Sequence, residues 1–216
     1  MKRKELLSLI DGGENSHVEY KLKFSSAERI AKEMIAFANT KGGFILFGID
    51  DDKNIVGVES EKGEAELIKQ AAEEYCEPLI DYKIEFIDLF GKEIVVITIP
   101  ESLKKPHRLQ DYQSEIDITS AQVYVRVNDK SVPASKEMVK LLISGNKSLH
   151  KYKIGSIEER TFSYLESYET ITVQQLAEEC NISKRRASRT IINLVRAGML
   201  MIHTKENGEN YYTSAM

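Results

Sequence analysis

The sequence has no long apolar segment and no clear export signal. No apolar run approaches the roughly 18 residues that a membrane-spanning helix needs. The first residues, MKRKELLSLIDGG, are basic and then apolar, but the apolar part is shorter than that of a signal peptide and is interrupted by Glu5. These absences predict a cytoplasmic protein without a membrane partner.

Cysteine is scarce, and the common catalytic patterns are missing. Cys76 and Cys180 are isolated and far apart, which indicates neither a disulfide framework nor a zinc site. The sequence contains no Ser-His-Asp or Cys-His pattern and no nucleotide-binding motif for an ATPase. Gly42-Gly43 precedes a predicted strand, whereas a phosphate-binding loop leads from a strand into a helix. We therefore interpret this pair as the end of a helix with close backbone packing.

An excess of positive charge is also missing. The formal net charge of −4 argues against a protein that coats nucleic acid with its whole surface. Residues 1–150 contain 21 basic and 26 acidic residues, whereas residues 151–216 contain 9 basic and 8 acidic residues. Any binding to a polyanion must therefore use local patches of charge.

A change of pattern near residue 148 predicts two domains. Residues 1–148 have a mixed α/β pattern: alternation predicts a half-buried strand at 17–23, and a continuous apolar run predicts a central strand at 44–49. A helix with an apolar face lies between them. Residues 149–216 are mainly helical in pattern, so the second predicted domain begins at residue 149.

The second domain has the element order of a winged helix-turn-helix. Three helices are predicted at 157–168, 173–179 and 183–197, with Thr172 and Ser183 as the caps of the second and third. Asn207-Gly208 then predicts a tight hairpin. The segment TVQQLAEECNISKRRASRTIINLVRAGML also resembles the DNA-binding segment of bacterial regulators.

The third of these helices has a basic face. Its apolar side chains cluster on one side at about 100° per residue, and Arg185, Arg189 and Arg196 fall almost opposite them. No acidic residue occurs between Ser183 and Arg196. This pattern favours a helix that enters the DNA major groove, although a solvated basic face or a protein-binding surface would have the same pattern. The predicted DNA-binding residues are Lys184, Arg185, Arg186, Ser188, Arg189, Asn193, Arg196 and, at the tip of the hairpin, Lys205.

Residues 101–122 form a long polar segment without periodicity. Such loops are often functional or mobile. This one contains Lys104, Lys105, His107 and Arg108, which predict either a nucleic-acid-binding loop or a solvated loop.

Several blocks of the first domain resemble the Schlafen-type AlbA-like domain. They are ENSHVEYKLKF, IAFANTKGGFILFGIDDDKNIVGV, KPHR and VYVRVNDKSVPAS, and the resemblance extends over roughly residues 1–145. It implies a domain with a mixed sheet and a nucleic-acid role, as in bacterial DNA-binding and transcriptional regulators that carry this domain. The predicted fold class is α+β, with an N-terminal mixed-sheet AlbA/Schlafen-like domain and a C-terminal winged helix-turn-helix domain.

The resemblance also implies a nuclease site. Some Schlafen proteins cleave RNA with three carboxylates, and here Glu14 and Glu19 match the first two, while Asp50 or Asp51 is the third. Converging carboxylates bind Mg²⁺ or Mn²⁺, and Lys21 would orient water or stabilise developing charge. The alternative without chemistry is that Glu19 and Lys21 form ordinary ion pairs on a solvated strand face and that the aspartates are turn residues.

Three functions are consistent with the sequence. The preferred one is a DNA-binding transcriptional regulator for which the sequence indicates no certain cofactor, with the first domain giving either dimerisation or additional nucleic-acid contacts. A homodimer is expected because one recognition helix makes few base contacts. The second is a nuclease that uses Mg²⁺ or Mn²⁺ at Glu14, Glu19 and Asp50, with RNA as a further partner. The third is a protein-interaction module without chemistry.

Overall fold

The computed structural model describes residues 1–145, Leu149 and residues 152–215, with the backbone alone at Glu61. The chain divides into two units, Met1–Pro133 and Ala134–Met216. The elements of the first unit are α1 (Arg3–Gly12), β1 (Val18–Lys21), α2 (Ala27–Asn39), β2 (Gly43–Phe47), α3 (Glu61–Glu74), β3 (Cys76–Glu77), β4 (Lys83–Leu89), β5 (Lys92–Ile99), β6 (Arg108–Leu109), β7 (Tyr124–Val127) and β8 (Lys130–Pro133).

A four-stranded sheet in the order β1-β2-β5-β4 is the frame of the first unit. β1 runs parallel to β2, whereas β2, β5 and β4 are antiparallel neighbours, so the predicted mixed sheet is confirmed. The apolar run that predicted a central strand is β2, which lies between β1 and β5. Ile45, Leu46 and Phe47 of this strand are fully buried because both faces of the sheet are covered.

Two apolar cores lie on the two faces of this sheet. Residues of α2 and α3 pack with Ile45 and Phe47 on one face. Leu6 and Ile10 of α1 pack with Val18 and other strand residues on the opposite face. The helical periodicity of α2 therefore predicted its buried side correctly, because an amphipathic helix places its apolar stripe on the sheet.

Gly42 and Gly43 serve backbone packing, as their sequence context indicated. Gly42 has a φ of +72°, and a Cβ there would lie 2.5 Å from the carbonyl oxygen of Ile99. A Cβ on Gly43 would lie 2.5 Å from the carbonyl oxygen of His17. A larger residue at either position would therefore displace β2 from its neighbours.

The second unit comprises α4 (Lys136–Ser144), α5 (Ser156–Tyr168), α6 (Val173–Glu179), α7 (Lys184–Arg196), β9 (Leu200–Thr204) and β10 (Asn210–Ser214). β9 and β10 pair antiparallel around the predicted Asn207-Gly208 hairpin turn. The caps at Thr172 and Ser183 are confirmed, since their hydroxyls accept from the backbone N–H groups of Gln175 and Arg186. An apolar core joins α5, α6 and α7 to the β9–β10 hairpin. It includes Leu176, Ile191, Leu194 and Tyr212.

The division between the units falls before α4, earlier than the boundary predicted at residues 148–149. Ser188 of α7 donates to Glu137 of α4 at 2.6 Å, and Asn210 of β10 donates to Ser135 at 2.6 Å. These bonds attach α4 and its N-cap residue to α7 and β10. Residue 148 itself lies outside the described residues. Within the described part of the chain, no helix combines the length and the apolar character needed to span a membrane.

Candidate nucleic-acid interface and the buried acidic cluster

The second carboxylate of the predicted nuclease site is held in a buried ion pair. Glu19 lies on β1 opposite Ile45 and is only 7% exposed, so the prediction that this strand face is solvated is wrong at Glu19. Nη1 of Arg126, a β7 residue with a fully buried side chain, donates to Glu19 Oε2 at 2.9 Å. Lys21 pairs with the other carboxylate oxygen. Two cations therefore occupy both oxygens of Glu19.

Arg126 is the centre of a larger buried network. Its Nη1 donates to Glu33 Oε2 at 3.2 Å, and its Nη2 donates to the carbonyl oxygen of Asn15 at 2.8 Å. The guanidinium carbon lies 4.6 Å from the centroid of the Phe37 ring, which is a favourable cation–π distance. The Ser131 hydroxyl completes the network by donating to Glu33. One arginine thus links β1 and α2 to the β7–β8 hairpin.

The sequence did not identify Glu33 or Arg126 as members of this cluster. Burial raises the pKa of the Glu33 carboxyl, and the charge of Glu19 adds to the shift. The Ser131 hydrogen bond and the Lys21 and Arg126 charges act in the opposite direction. The available sequence signal was a charged residue in the middle of the apolar segment VYVRV, where a buried strand position needs a partner for its charge.

Glu14 and Asp50 each make local hydrogen bonds. Glu14 Oε1 accepts from the backbone N–H of Tyr20 at 2.8 Å. Burial raises the Glu14 pKa, and the charge of Asp51 contributes in the same direction, whereas the Tyr20 hydrogen bond opposes it. Asp50 accepts from both the backbone and the side chain of Asn54, at 2.8 and 2.9 Å, which are the contacts of a turn residue.

These positions do not form the three-carboxylate metal site that the resemblance implied. Among the residues that the structure describes, no group of three His, Cys, Asp or Glu side chains could share a metal ion. Mg²⁺ and Mn²⁺ require free oxygen ligands, but Glu19 is paired with Arg126 and Lys21, and Asp50 caps its own turn. The metal set of Glu14, Glu19 and Asp50 therefore does not fit, and the predicted chemical role of Lys21 is replaced by an ion pair.

The predicted nucleic-acid-binding loop is largely structural. Arg108 is buried in β6, where it pairs with an acid and donates to the carbonyl oxygen of Gln113 at 2.6 Å. Lys105 donates to the carbonyl oxygen of Thr40 at 2.9 Å and also pairs with an acid. Lys104 alone of the four predicted residues is exposed. The prediction was wrong for the other three because β6 pairs with β3, a strand far away in the sequence, and this pairing draws the segment inward.

His107, the fourth of these residues, is 1% exposed and fixed on three sides. Its backbone N–H donates to Asn39 Oδ1 at 2.7 Å. Its ring Nδ1 lies 2.8 Å from the carbonyl oxygen of Pro78, and its Nε2 lies 2.6 Å from the Ser102 hydroxyl. A carbonyl oxygen can only accept, so Nδ1 carries the proton and Ser102 donates to Nε2. Burial lowers the His107 pKa, which favours this neutral form.

The first two turns of α7 present four cationic side chains to solvent. Lys184, Arg185, Arg186 and Arg189 are all exposed, and no ion pair neutralises them within the described part of the chain. The opposite side of the helix is buried through Ala187, Ile191 and Leu194. The apolar face fixes the helix on its unit and so keeps the cationic face outward.

The remaining predicted contacts of α7 are less accessible. Ser188 is 4% exposed and donates to Glu137, so its assignment to the DNA-binding face was wrong. Asn193 and Arg196 are half-buried. In the loop between β9 and β10, Lys205 is exposed and lies 4.0 Å from the carboxylate of Glu209. Among the predicted DNA contacts, the exposed cations are therefore Lys205 and the four at the start of α7.

The profile of the Schlafen, AlbA_2 family matches residues 14–135, which is more than half of the chain. The chain belongs to the Schlafen AlbA_2 family. Parts of the chain also match solved structures, two of which follow. One is the N-terminal domain of an ATP-dependent DNA helicase RecG-related protein from Nitrosomonas europaea (23% identity, TM-score 0.40, covering 50% of this chain and 81% of that chain). The other is the DIP2311 protein from Corynebacterium diphtheriae (18% identity, TM-score 0.42), where the match covers 61% of this chain but 29% of that longer chain.

The Schlafen AlbA_2 domain and the exposed basic helix occupy different parts of the chain. The matched segment begins at Glu14 and ends at Ser135, so it contains the Arg126 network and the buried His107. α7 lies outside the match. The Schlafen AlbA_2 assignment therefore accounts for the first unit, and the function of the second has to be argued from its own residues.

Proposed function

We propose that this protein binds double-stranded DNA through α7 and acts as a transcriptional regulator. The observation that carries the proposal is the set of four exposed cations, Lys184, Arg185, Arg186 and Arg189, without ion-pair partners among the described residues. Guanidinium groups bind phosphate oxygens and guanine edges in bidentate geometry. Neutralising DNA phosphates also releases counterions, which drives association.

The architecture of the second unit supports this proposal. A short turn separates α6 from α7, and Asn181 in that turn has a φ of +50°. α5 precedes this pair, and the β9–β10 hairpin follows it. We infer that the unit is a winged helix-turn-helix with α7 as its recognition helix and Lys205 as a phosphate contact on the wing. The family membership of the first unit is consistent with a nucleic-acid role.

We propose that the first unit contributes a dimer contact or additional nucleic-acid contacts. A single recognition helix covers one half-site, and two copies on paired half-sites would increase both affinity and specificity. The stoichiometry on a duplex selected from a random pool would test the dimer. Sedimentation should give two chains per duplex, and one chain per duplex at saturation would contradict it.

The salt dependence of binding tests the main proposal. A fluorescent duplex titrated with the full chain should show saturable binding. With about four phosphate contacts, the affinity should fall roughly a hundredfold between 50 and 200 mM NaCl. An RNA duplex of the same sequence should bind more weakly, because the major groove of A-form RNA is deep and narrow. Absence of salt-sensitive duplex binding would favour a protein-interaction role for the second unit.

A further inference from the structure

A cleft of about 520 Å³ lies inside the second unit, between α7 and the segment that begins α5. One wall consists of Arg185, Arg186 and Arg189, and the other consists of Tyr152 and the first residues of α5. Its volume is in the usual range for sites that bind small molecules. Its lining is mainly polar and cationic, which indicates an anionic rather than an apolar ligand.

The three arginines have no acidic partner among the described residues. The cleft has one acidic lining residue, Glu158, whose two carboxylate oxygens are already engaged. Oε1 accepts from the Tyr152 hydroxyl at 2.7 Å, and Oε2 accepts from the backbone N–H of Gly155 at 3.0 Å. Glu158 therefore orders the wall of the cleft and leaves the guanidiniums free for a ligand from solution.

We propose that this cleft binds a phosphate group. A phosphate offers several oxygens in the geometry that guanidinium groups bind bidentately, so three arginines on one wall favour it over a single carboxylate. Hydroxyl and amide groups of Ser156, Ser183 and Asn193 line the same space and supply neutral donors. The phosphate is either a backbone phosphate of the duplex or the phosphate of a small ester free in solution.

This inference deepens the proposed function, because the same arginines serve both sites. A free phosphate ester in the cleft would occupy the arginines that α7 needs for DNA. Ligand and duplex would then compete, and the ester would act as an effector that releases DNA. A duplex that places its own phosphate in the cleft would compete with inorganic phosphate in the same way.

The test uses the full ¹⁵N-labelled chain with inorganic phosphate, and then thymidine 5′-monophosphate, at constant ionic strength set with NaCl. We expect saturable NMR shifts at Ser156, Ser183 and the N-terminal turn of α7. The Asn193→Asp variant, which adds a negative charge in the cleft, should weaken phosphate binding at least about tenfold. The Asn207→Asp variant adds the same charge at the exposed hairpin turn and should change it less than about twofold.

A second variant covers the case in which Asn193→Asp disturbs the fold. Arg186→Gln changes an exposed side chain and should also weaken phosphate binding about tenfold. Shifts that do not saturate, or that are equal in wild type and both cleft variants, would overturn the phosphate cleft.

The two sources of phosphate separate in a competition experiment with labelled duplex. If inorganic phosphate displaces the duplex at constant ionic strength and thymidine 5′-monophosphate does so no better, the duplex supplies the phosphate. If the monophosphate competes at least about tenfold better than inorganic phosphate, a free ester is the ligand. Duplex binding without phosphate binding would contradict the phosphate-binding cleft but agree with the proposed function. Phosphate binding without duplex binding would contradict the proposed function but agree with the cleft.

Discussion

Arg126 donates to Glu19 at 2.9 Å across 107 positions of sequence, and this bond occupies the carboxylate that resemblance assigned to metal-dependent cleavage. The same guanidinium binds Glu33, so two acids share one buried cation. A buried charge without a partner is much more costly than a buried pair. The network therefore fixes the β7–β8 hairpin against β1 and α2, and it gives Glu19 a structural role.

Replacing Arg126 should destabilise the first unit strongly. Arg126→Met leaves the buried Glu19 with Lys21 as its remaining cation and removes the ion-pair partner of the partly buried Glu33, and we expect the unfolding free energy to fall by about 3–5 kcal/mol. Urea denaturation measures this value. Arg3→Met is the matched control: its ion pair with Asp88 is exposed, so the loss should be about 1 kcal/mol or less. Equal losses in the two variants would show that the buried network contributes no more than a surface pair.

Glu33 should contribute more to the stability at acidic pH than at neutral pH. Burial raises its folded-state pKa above the unfolded value, so the folded state holds an additional proton between these two pKa values. The contribution of Glu33 to the unfolding free energy therefore falls as pH rises through that window, by at most about 1.4 kcal/mol per pH unit. Glu33→Gln should remove this slope when the unfolding free energy is measured from pH 4 to 8.

Glu28 provides the control of opposite sign. Its ion pair with Lys32 lowers the Glu28 pKa, so its contribution is present above the unfolded pKa and is lost as pH falls through the folded one. The contribution of Glu28 to the unfolding free energy therefore rises with pH, and Glu28→Gln should remove that rise. A wild-type pH profile that Glu33→Gln leaves unchanged would contradict the raised pKa.

The acidic cluster should not support metal-dependent cleavage. Structured RNA and single-stranded DNA incubated with the full chain and Mn²⁺ should remain intact, because both oxygens of Glu19 are paired with cations. Mn²⁺ should also leave the thermal midpoint unchanged, since no described set of three ligands binds it. Cleavage that disappears in both Glu14→Ala and Glu19→Ala would restore the nuclease hypothesis.

Ser188 should affect stability and not DNA binding. Its buried hydroxyl donates to the Glu137 carboxylate, and a hydrogen bond to a charged group contributes about 1.5–3 kcal/mol. We expect Ser188→Ala to lower the unfolding free energy by that amount and to change duplex affinity less than about twofold. Ser167→Ala, at an exposed position of α5, should change neither. A large loss of duplex affinity in Ser188→Ala would show that this residue contributes to DNA binding.

Local periodicity predicted the elements that depend on local pattern. The caps and apolar stripe of α7, the helix α2 and the buried strand β2 were all identified from neighbouring residues, because helices and strands have fixed periods of exposure. The mixed sheet was predicted from the family resemblance instead, because local periodicity does not show which distant strands pair.

Burial that depends on distant elements could not be predicted in this way. Consecutive strand residues point to opposite faces, so alternation would bury Val125 and leave Arg126 in solvent. Both are buried, because α2 and β1 cover the face on which Arg126 lies. Ser188 lies beside the basic face of α7 in any helical projection, and only the position of α4 reveals that it is covered. Polar residues in strands and helix flanks were therefore the least predictable.

Duplex affinity of an arginine double variant tests the central claim most directly. At moderate salt, Arg185→Ala/Arg189→Ala in the full chain should weaken binding more than tenfold and reduce the salt slope by about two phosphate contacts. Lys62→Ala/Lys69→Ala removes the same charge from exposed positions of α3 and should change the affinity less than about twofold. Equal affinities for wild type and the arginine variant would contradict α7 as the DNA-binding helix.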